Sequence, residues 1–231
     1  MAQPELVAEG VYRVDAVPIP NAISVLLLRG DDGWTLVDTG LGVSAGRIRS
    51  ALEALGASPA GLRRIVLTHH HPDHIGGLPG MRAWAPAVEV WASAGEAEII
   101  AGTRSADPMR NPLLRRGMAA RRWPTVPVTR ALVEGDDVAG FRVIDTPGHT
   151  RGHISVRRDD GVLFTADAFG NLLLGVRVGV VNLLCDDPEQ ARASASKLAG
   201  MDVSTVVFSH GAMLRSGAQA ALRAAVERDR D

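Results

Sequence analysis

Apolar positions along the chain fall into short runs bounded by turn formers. Segments 11–17, 23–29 and 34–38 are apolar or β-branched and are split by Pro18 and Pro20 and by the glycine and aspartate turn at 30–33. That punctuation predicts an antiparallel meander. The spacing of Ile48, Leu52 and Leu55 predicts a helix over 44–55, with Ser44 as its cap and Gly56 as its stop. A buried-type strand at 64–68 empties into a histidine-rich segment. Another strand at 88–92 is followed by a helix at 93–101. Strands resume at 131–133, 141–145, 154–157 and 162–165. Pro188 opens a helix at 188–199, and a last strand at 203–209 precedes a helix at 217–227.

Strands and a helix, then strands and a helix again, is the order of an α/β chain. It fits a four-layer αββα sandwich in which two mixed sheets pack face to face with helices outside. No repeat of 20–50 residues is visible, which excludes a solenoid. No composition break marks a linker, so residues 1–231 are read as a single domain with two inserts. The insert at 102–130 holds Arg104, Arg110, Arg115, Arg116, Arg121, Arg122 and Arg130. It is expected either to cover a cleft and pair an anionic group or to form a solvated or dimer-contact face. The insert at 171–184 is apolar and reads as a loop, either a wall for an acyl group or a surface through which a homodimer forms.

Composition narrows the class of partner. Hydrophobic residues make up 46% and charged residues 22%, as in ordinary globular domains. The net charge of −1 provides no field to hold nucleic acid or an anionic membrane, which leaves a small-molecule substrate as the expected partner. Cys185 is the only cysteine, so no internal disulfide exists, and it reads as a small buried apolar residue with no obvious base beside it. The N-terminus shows no signal-peptide pattern, and no apolar run approaches the roughly 20 residues that cross a bilayer. A cytoplasmic protein is expected.

Histidines supply the candidate chemistry. They stand at 69, 70, 71, 74, 149, 153 and 210, four of them within Thr68-His69-His70-His71-Pro72-Asp73-His74 directly after a strand. In an extended segment residues two apart point the same way, so His69 and His71 can grip one ion together. Pro72 suits the first position of a helical turn, which would swing Asp73 and His74 to a neighbouring point. Imidazole and carboxylate donors suit Zn²⁺. Solvated surface histidines are the bland alternative, and they leave the clustering without a purpose.

The order His69-x-His71-x-Asp73-His74, then His149, Asp167 and His210, resembles the metallo-β-lactamase superfamily, and within it the glyoxalase II-like hydrolases. The likeness extends to Leu36-Val37-Asp38-Thr39-Gly40, Thr146-Pro147-Gly148-His149-Thr150 and Ser209-His210-Gly211. The resemblance implies metals in a cleft at one edge of the two sheets. One would be held by His69, His71 and His149, the other by Asp73, His74 and His210, with Asp167 bridging. It implies two Zn²⁺ per chain, with Fe or Mn as substitutes. Asp73 and Asp38 are the candidate catalytic carboxylates, Asp73 aiming the attacking water and Asp38 orienting a ligand imidazole. His70 and His153 are left out of the ligand set.

The expected reaction is hydrolysis of an ester, thioester or lactone by a metal-bridging hydroxide. The alternatives are a mono-iron sulfur (persulfide) dioxygenase, β-lactamase-type amide hydrolysis and a non-catalytic metal-stabilised binding protein. An aspartate at 167 resembles the thioesterases and lactonases rather than the true β-lactamases. The sole tyrosine, Tyr12, lies far from Asp167 in sequence, unlike the tyrosine beside the site in quorum-signal lactonases. Only residues 211–231 follow His210, where full-length glyoxalase II carries a helical region that binds glutathione.

Overall fold

Because tight turns join its first strands, the chain opens as a meander. β1 (Glu5–Ala8), β2 (Val11–Asp15), β3 (Ser24–Gly30) and β4 (Gly33–Val37) pair antiparallel in succession. Helical crossovers then turn the sheet parallel. α1 (Ala45–Ala54) leads to β5 (Leu62–Leu67), and α2 (Pro72–Ile75) with α3 (Leu78–Trp84) leads to β6 (Glu89–Ser93). α4 (Ala94–Ala101) follows, and β7 (Arg130–Leu132) closes the seven-stranded sheet. This computed structural model describes residues 3–106, 124–172, 175–179 and 185–229.

The second sheet contains β8 (Asp137–Val138), β9 (Phe141–Asp145), β10 (Ile154–Arg158) and β11 (Val162–Phe164), all antiparallel. β12 (Phe169–Leu172) and β13 (Gly175–Val178) form a separate hairpin. α5 (Pro188–Ala199) then crosses to β14 (Thr205–Val207), which lies parallel to β11, and α6 (Ala218–Arg228) ends the fold. Both large sheets are therefore mixed.

Alternate residues of each strand enter different cores, as the pleat demands. In β3, Val25 and Leu27 pack with α1 and α3, while Leu26 and Leu28 face the other sheet. The inter-sheet core also takes Val37 and Val66 from the first sheet and Phe141, Val156 and Phe164 from the second. Leu163 and Val206 face outward beneath Leu198 of α5 and Leu222 of α6. Four layers result, and the continuous apolar runs of the sequence follow because both faces of each sheet are covered.

Three local expectations change. The apolar stretch from 171 is not a loop at its start, since Asn171 and Leu172 belong to the β12–β13 hairpin. Ser44 precedes α1 without capping it. Its own backbone is already helical (φ −78, ψ −24), and its hydroxyl accepts the Leu41 N–H at 3.0 Å. α3 forms between the histidine segment and the strand at 88–92, where no element is expected. The lid expected within 102–130 and the wall expected within 171–184 fall largely on residues 107–123, 173–174 and 180–184, outside the described residues. No helix among the described residues is long and apolar enough to cross a membrane.

Candidate metal centre

Strand direction gathers the chemistry at one end of the molecule. Asp38 follows β4, Thr68–His74 follows β5, Asp167 follows β11 and His210 follows β14. β9, antiparallel to β10 as β11 is, runs with β11, so the turn holding His149 lies at that same end. Crevices at the carboxyl ends of parallel strands are where such folds seat ligands. The local backbone bends sharply there. Asp38 has φ 62 and Ala166, next to Asp167, has φ 44, conformations that side chains other than glycine adopt only under tertiary constraint.

The structure brings all seven expected donors together in two clusters, His69, His71, His149 and Asp167 in one and Asp73, His74 and His210 in the other. His71 Nδ1 lies 2.9 Å from His149 Nε2. Asp167 Oδ2 is 3.3 Å from His149 Nε2 and 4.0 Å from His69 Nε2. Its Oδ1 is 3.3 Å from His74 Nε2 and 3.6 Å from His210 Nε2. Asp73 Oδ2 completes the second cluster, 3.1 Å from His210 Nε2. Among the described residues, the buried His69 Nε2, His74 Nε2 and Asp167 Oδ1 have no hydrogen-bond partner. Buried polar atoms left unpaired are costly, and a divalent cation is the partner these donors fit.

The far nitrogen of four imidazoles is occupied, which leaves the near one as donor. His74 Nδ1 lies 2.8 Å from Asp38 Oδ2, and His69 Nδ1 lies 3.1 Å from Thr68 Oγ1. His210 Nδ1 donates to the Ala22 carbonyl at 2.6 Å. His149 Nδ1 is 3.9 Å from Cys185 Sγ. Asp38 is buried behind the His74 ring and accepts the Thr68 N–H at 2.8 Å as well.

Burial, then the neighbouring imidazoles, lowers the pKa of His69 and His71 well below the ordinary histidine value. His149 is lowered too, chiefly by burial. Burial also opposes charge on His74, yet the carboxylates of Asp167, Asp38 and Asp73 outweigh it and raise its pKa. For Asp73 and Asp167, burial works upward and is overcome by the adjacent histidines, His74 foremost, so both stay well below the usual carboxylate range. Neutral imidazoles in one cluster and ionised carboxylates beside the other are the forms that bind cations.

His70 turns to Glu96, its Nδ1 2.5 Å from Oε2. His153 accepts the Asp167 backbone N–H on Nε2 at 3.1 Å. Glu96 did not stand out in the sequence. Its signal was an acidic residue four positions before Ile100 on the face of α4 that turns inward. Cys185 is buried as expected, but it does have an imidazole neighbour. Burial, then the Asp167 charge, pushes its thiol up to about 11.

Residues 18–210 match the family described as the metallo-beta-lactamase superfamily. The chain is 31% identical over 227 residues to the "Probable metallo-hydrolase YflN" of Bacillus subtilis (strain 168), covering 88% of this chain and 84% of that protein. It is 32% identical over 198 residues to a hydroxyacylglutathione hydrolase of Fuscovulum blasticum, covering 82% of this chain but 65% of the relative's length. A metallo-beta-lactamase from Cronobacter sakazakii, a HARLDQ motif mutant, superposes with a TM-score of 0.71 at 26% identity, over 99% of this chain and 94% of that one.

Proposed function

The chain belongs to the metallo-β-lactamase superfamily, and from that membership we propose that it is a metal-dependent hydrolase holding two divalent cations, zinc first among them, and cleaving an ester, thioester or lactone bond of a small molecule. The observation that carries this reading is Asp167, which offers one carboxylate oxygen to each donor cluster. His69, His71 and His149 would hold one cation and Asp73, His74 and His210 the other. A zinc pair supplies a water acidified towards neutral pH and a Lewis acid for the acyl oxygen.

The protein's own groups do the rest. Asp73, with 27% of its side chain exposed, is the ligand carboxylate most open to the cleft. Its depressed pKa keeps it an acceptor, so it aims the attacking water by hydrogen bonding. Asp38 fixes the ring of His74. Cys185 stays a protonated thiol and is not the nucleophile. The hydroxyacylglutathione hydrolase relative favours thioesters within the proposed class. Because the chain spans only 65% of that relative, the proposal extends to the thioester and not to the glutathione portion.

The test is metal analysis of the purified protein with a substrate screen across acyl thioesters, aryl esters, lactones, a chromogenic β-lactam and phosphodiesters. Thioester or ester turnover should vanish on chelation and return with Zn²⁺. A single bound iron with oxygen uptake, turnover of the β-lactam alone, or no turnover by the metal-loaded protein would each overturn the reading.

A further inference from the structure

α4 contributes no donor atom to either cluster, yet it sends Glu96 into the interior, where the side chain is fully buried. A carboxylate is kept in such a place only where hydrogen bonds offset its lost hydration. Glu96 has them on both oxygens. Oε2 accepts the His70 backbone N–H at 3.0 Å and lies 2.5 Å from His70 Nδ1. Oε1 accepts the Thr150 hydroxyl at 2.6 Å and the Gly152 N–H at 3.1 Å.

These partners sit in two segments far apart in sequence. His70 stands between His69 and His71, and Thr150 follows His149. One carboxylate therefore ties together the backbones that carry all three imidazoles of one cluster. The other cluster is anchored elsewhere. His74 is held by Asp38 through its ring and by Thr39, whose N–H and hydroxyl both reach the His74 carbonyl, at 2.6 and 2.7 Å. His210 is held by Ala22.

The packing of α4 makes the reach of Glu96 possible. A Cβ on Gly95 would lie 2.7 Å from Gly152 Cα, and one on Gly152 would lie 2.6 Å from the Gly95 carbonyl carbon. Two glycines thus let the first turn of the helix touch the His149 turn backbone to backbone. The Ser93 hydroxyl donates to the Gly152 carbonyl at the same junction.

We propose that Glu96 is a positioning residue that sets the separation of the His69–His71 segment from the His149 turn, and so governs cation affinity at that cluster in preference to the Asp73–His74–His210 cluster. The inference rests on the proposed function only in requiring that the clusters bind cations. Glu96→Gln is the informative change. It keeps the volume but sets an amide NH₂ against a backbone N–H that cannot turn away, that of His70 in one orientation or of Gly152 in the other.

Metal-free wild type, Glu96→Gln and the surface control Glu98→Gln are titrated with Zn²⁺ against a chromophoric chelator. They are then titrated with Co²⁺, read by its visible absorption. The binding step that belongs to the first cluster is identified as the one His149→Ala removes. Glu96→Gln should weaken that step by about 10–100-fold and change its Co²⁺ bands, with the other step and the control unmoved. Thr150→Val, which removes a single bond, should weaken the same step by less, and it decides the matter alone if Glu96→Gln does not fold. A merely structural role would weaken both steps alike. Equal weakening, or two unchanged steps, overturns the inference and leaves the functional reading standing. A wild type that takes up no cation overturns both.

Discussion

Asp167 reaches both clusters, so its placement limits the centre, and His153 supplies that placement through bonds whose direction is forced. The Asp167 N–H donates to His153 Nε2, so the ring proton must be on Nδ1. Nδ1 then donates to Thr146 Oγ1 at 2.8 Å, Thr146 to Ser155 Oγ at 3.0 Å, and Ser155 to the Thr165 carbonyl at 3.1 Å. Burial, then the His149 charge, pushes His153 down to about 3, so the neutral ring persists at working pH. His153→Ala leaves the Asp167 N–H unpaired and should lower kcat/KM by about 10–100-fold. His71→Ala, which deletes a donor, should cost considerably more. Equal losses, measured side by side on one thioester, would refute the assigned roles. At Cys185 the raised pKa and burial mean that alkylation by iodoacetamide at pH 8 should be slow in native protein and fast in urea. Rapid native labelling would contradict the thiol's placement. The donor set was legible because histidines that follow strands are scarce and chemically distinctive. Glu96 was not, since a glutamate on a short helix reads as a solvated face until the sheet beneath it is known.

Elements with a clean apolar period were legible from sequence, and the exceptions share a cause. The helix at 188–199 and the strand at 141–145 occur with those bounds, each marked by a period and a start or stop signal. α3 went unread because it is only seven residues long and opens on Pro79 and Gly80, although proline is tolerated in a helix's first turn. The β12–β13 hairpin was hidden because its apolar residues cluster without a clear alternation. That hairpin braces the site, for the Asn171 N–H donates to the His210 carbonyl at 2.8 Å. Gly211 makes the contact possible. Its φ is +113, and a Cβ there would lie 2.0 Å from the Asn171 carbonyl oxygen. Gly175, the first residue of β13 with φ +78, has no atom of the described residues within 4 Å of where a Cβ would stand. Gly175→Ala should therefore cost only the conformational penalty, about 1–3 kcal/mol, whereas Gly211→Ala adds a backbone collision and should cost more. Urea midpoints of the metal-free variants decide this, and equal shifts would mean that the approach of β12 to Gly211 is not needed.

At the scale of the whole molecule, the two sheets share one hydrophobic core and one set of donors. His69, His71, Asp73 and His74 come from the first sheet's crossover, while His149, Asp167 and His210 come from the second sheet. The sequence made this bipartite order visible as two clumps of histidine-bearing strand ends. That both clumps meet at one edge followed only from the family resemblance and not from period or spacing, because strand direction across two sheets is a tertiary property. A cation bound between them must then stabilise the joint between the halves as well as the loops. Ligation of the folded state at about a thousandfold excess over Kd contributes about 4 kcal/mol. For a domain of this size each kcal/mol raises Tm by roughly 2–4 °C, so loading with Zn²⁺ should raise Tm by about 8–16 °C. The transition should stay single, because inter-sheet residues such as Val66, Phe141 and Phe164 prevent one half from melting before the other. Calorimetry of stripped and reloaded protein tests both statements. If zinc stabilised only part of the structure and split the melt into two steps, the halves would be independent and the shared donor set would not join them.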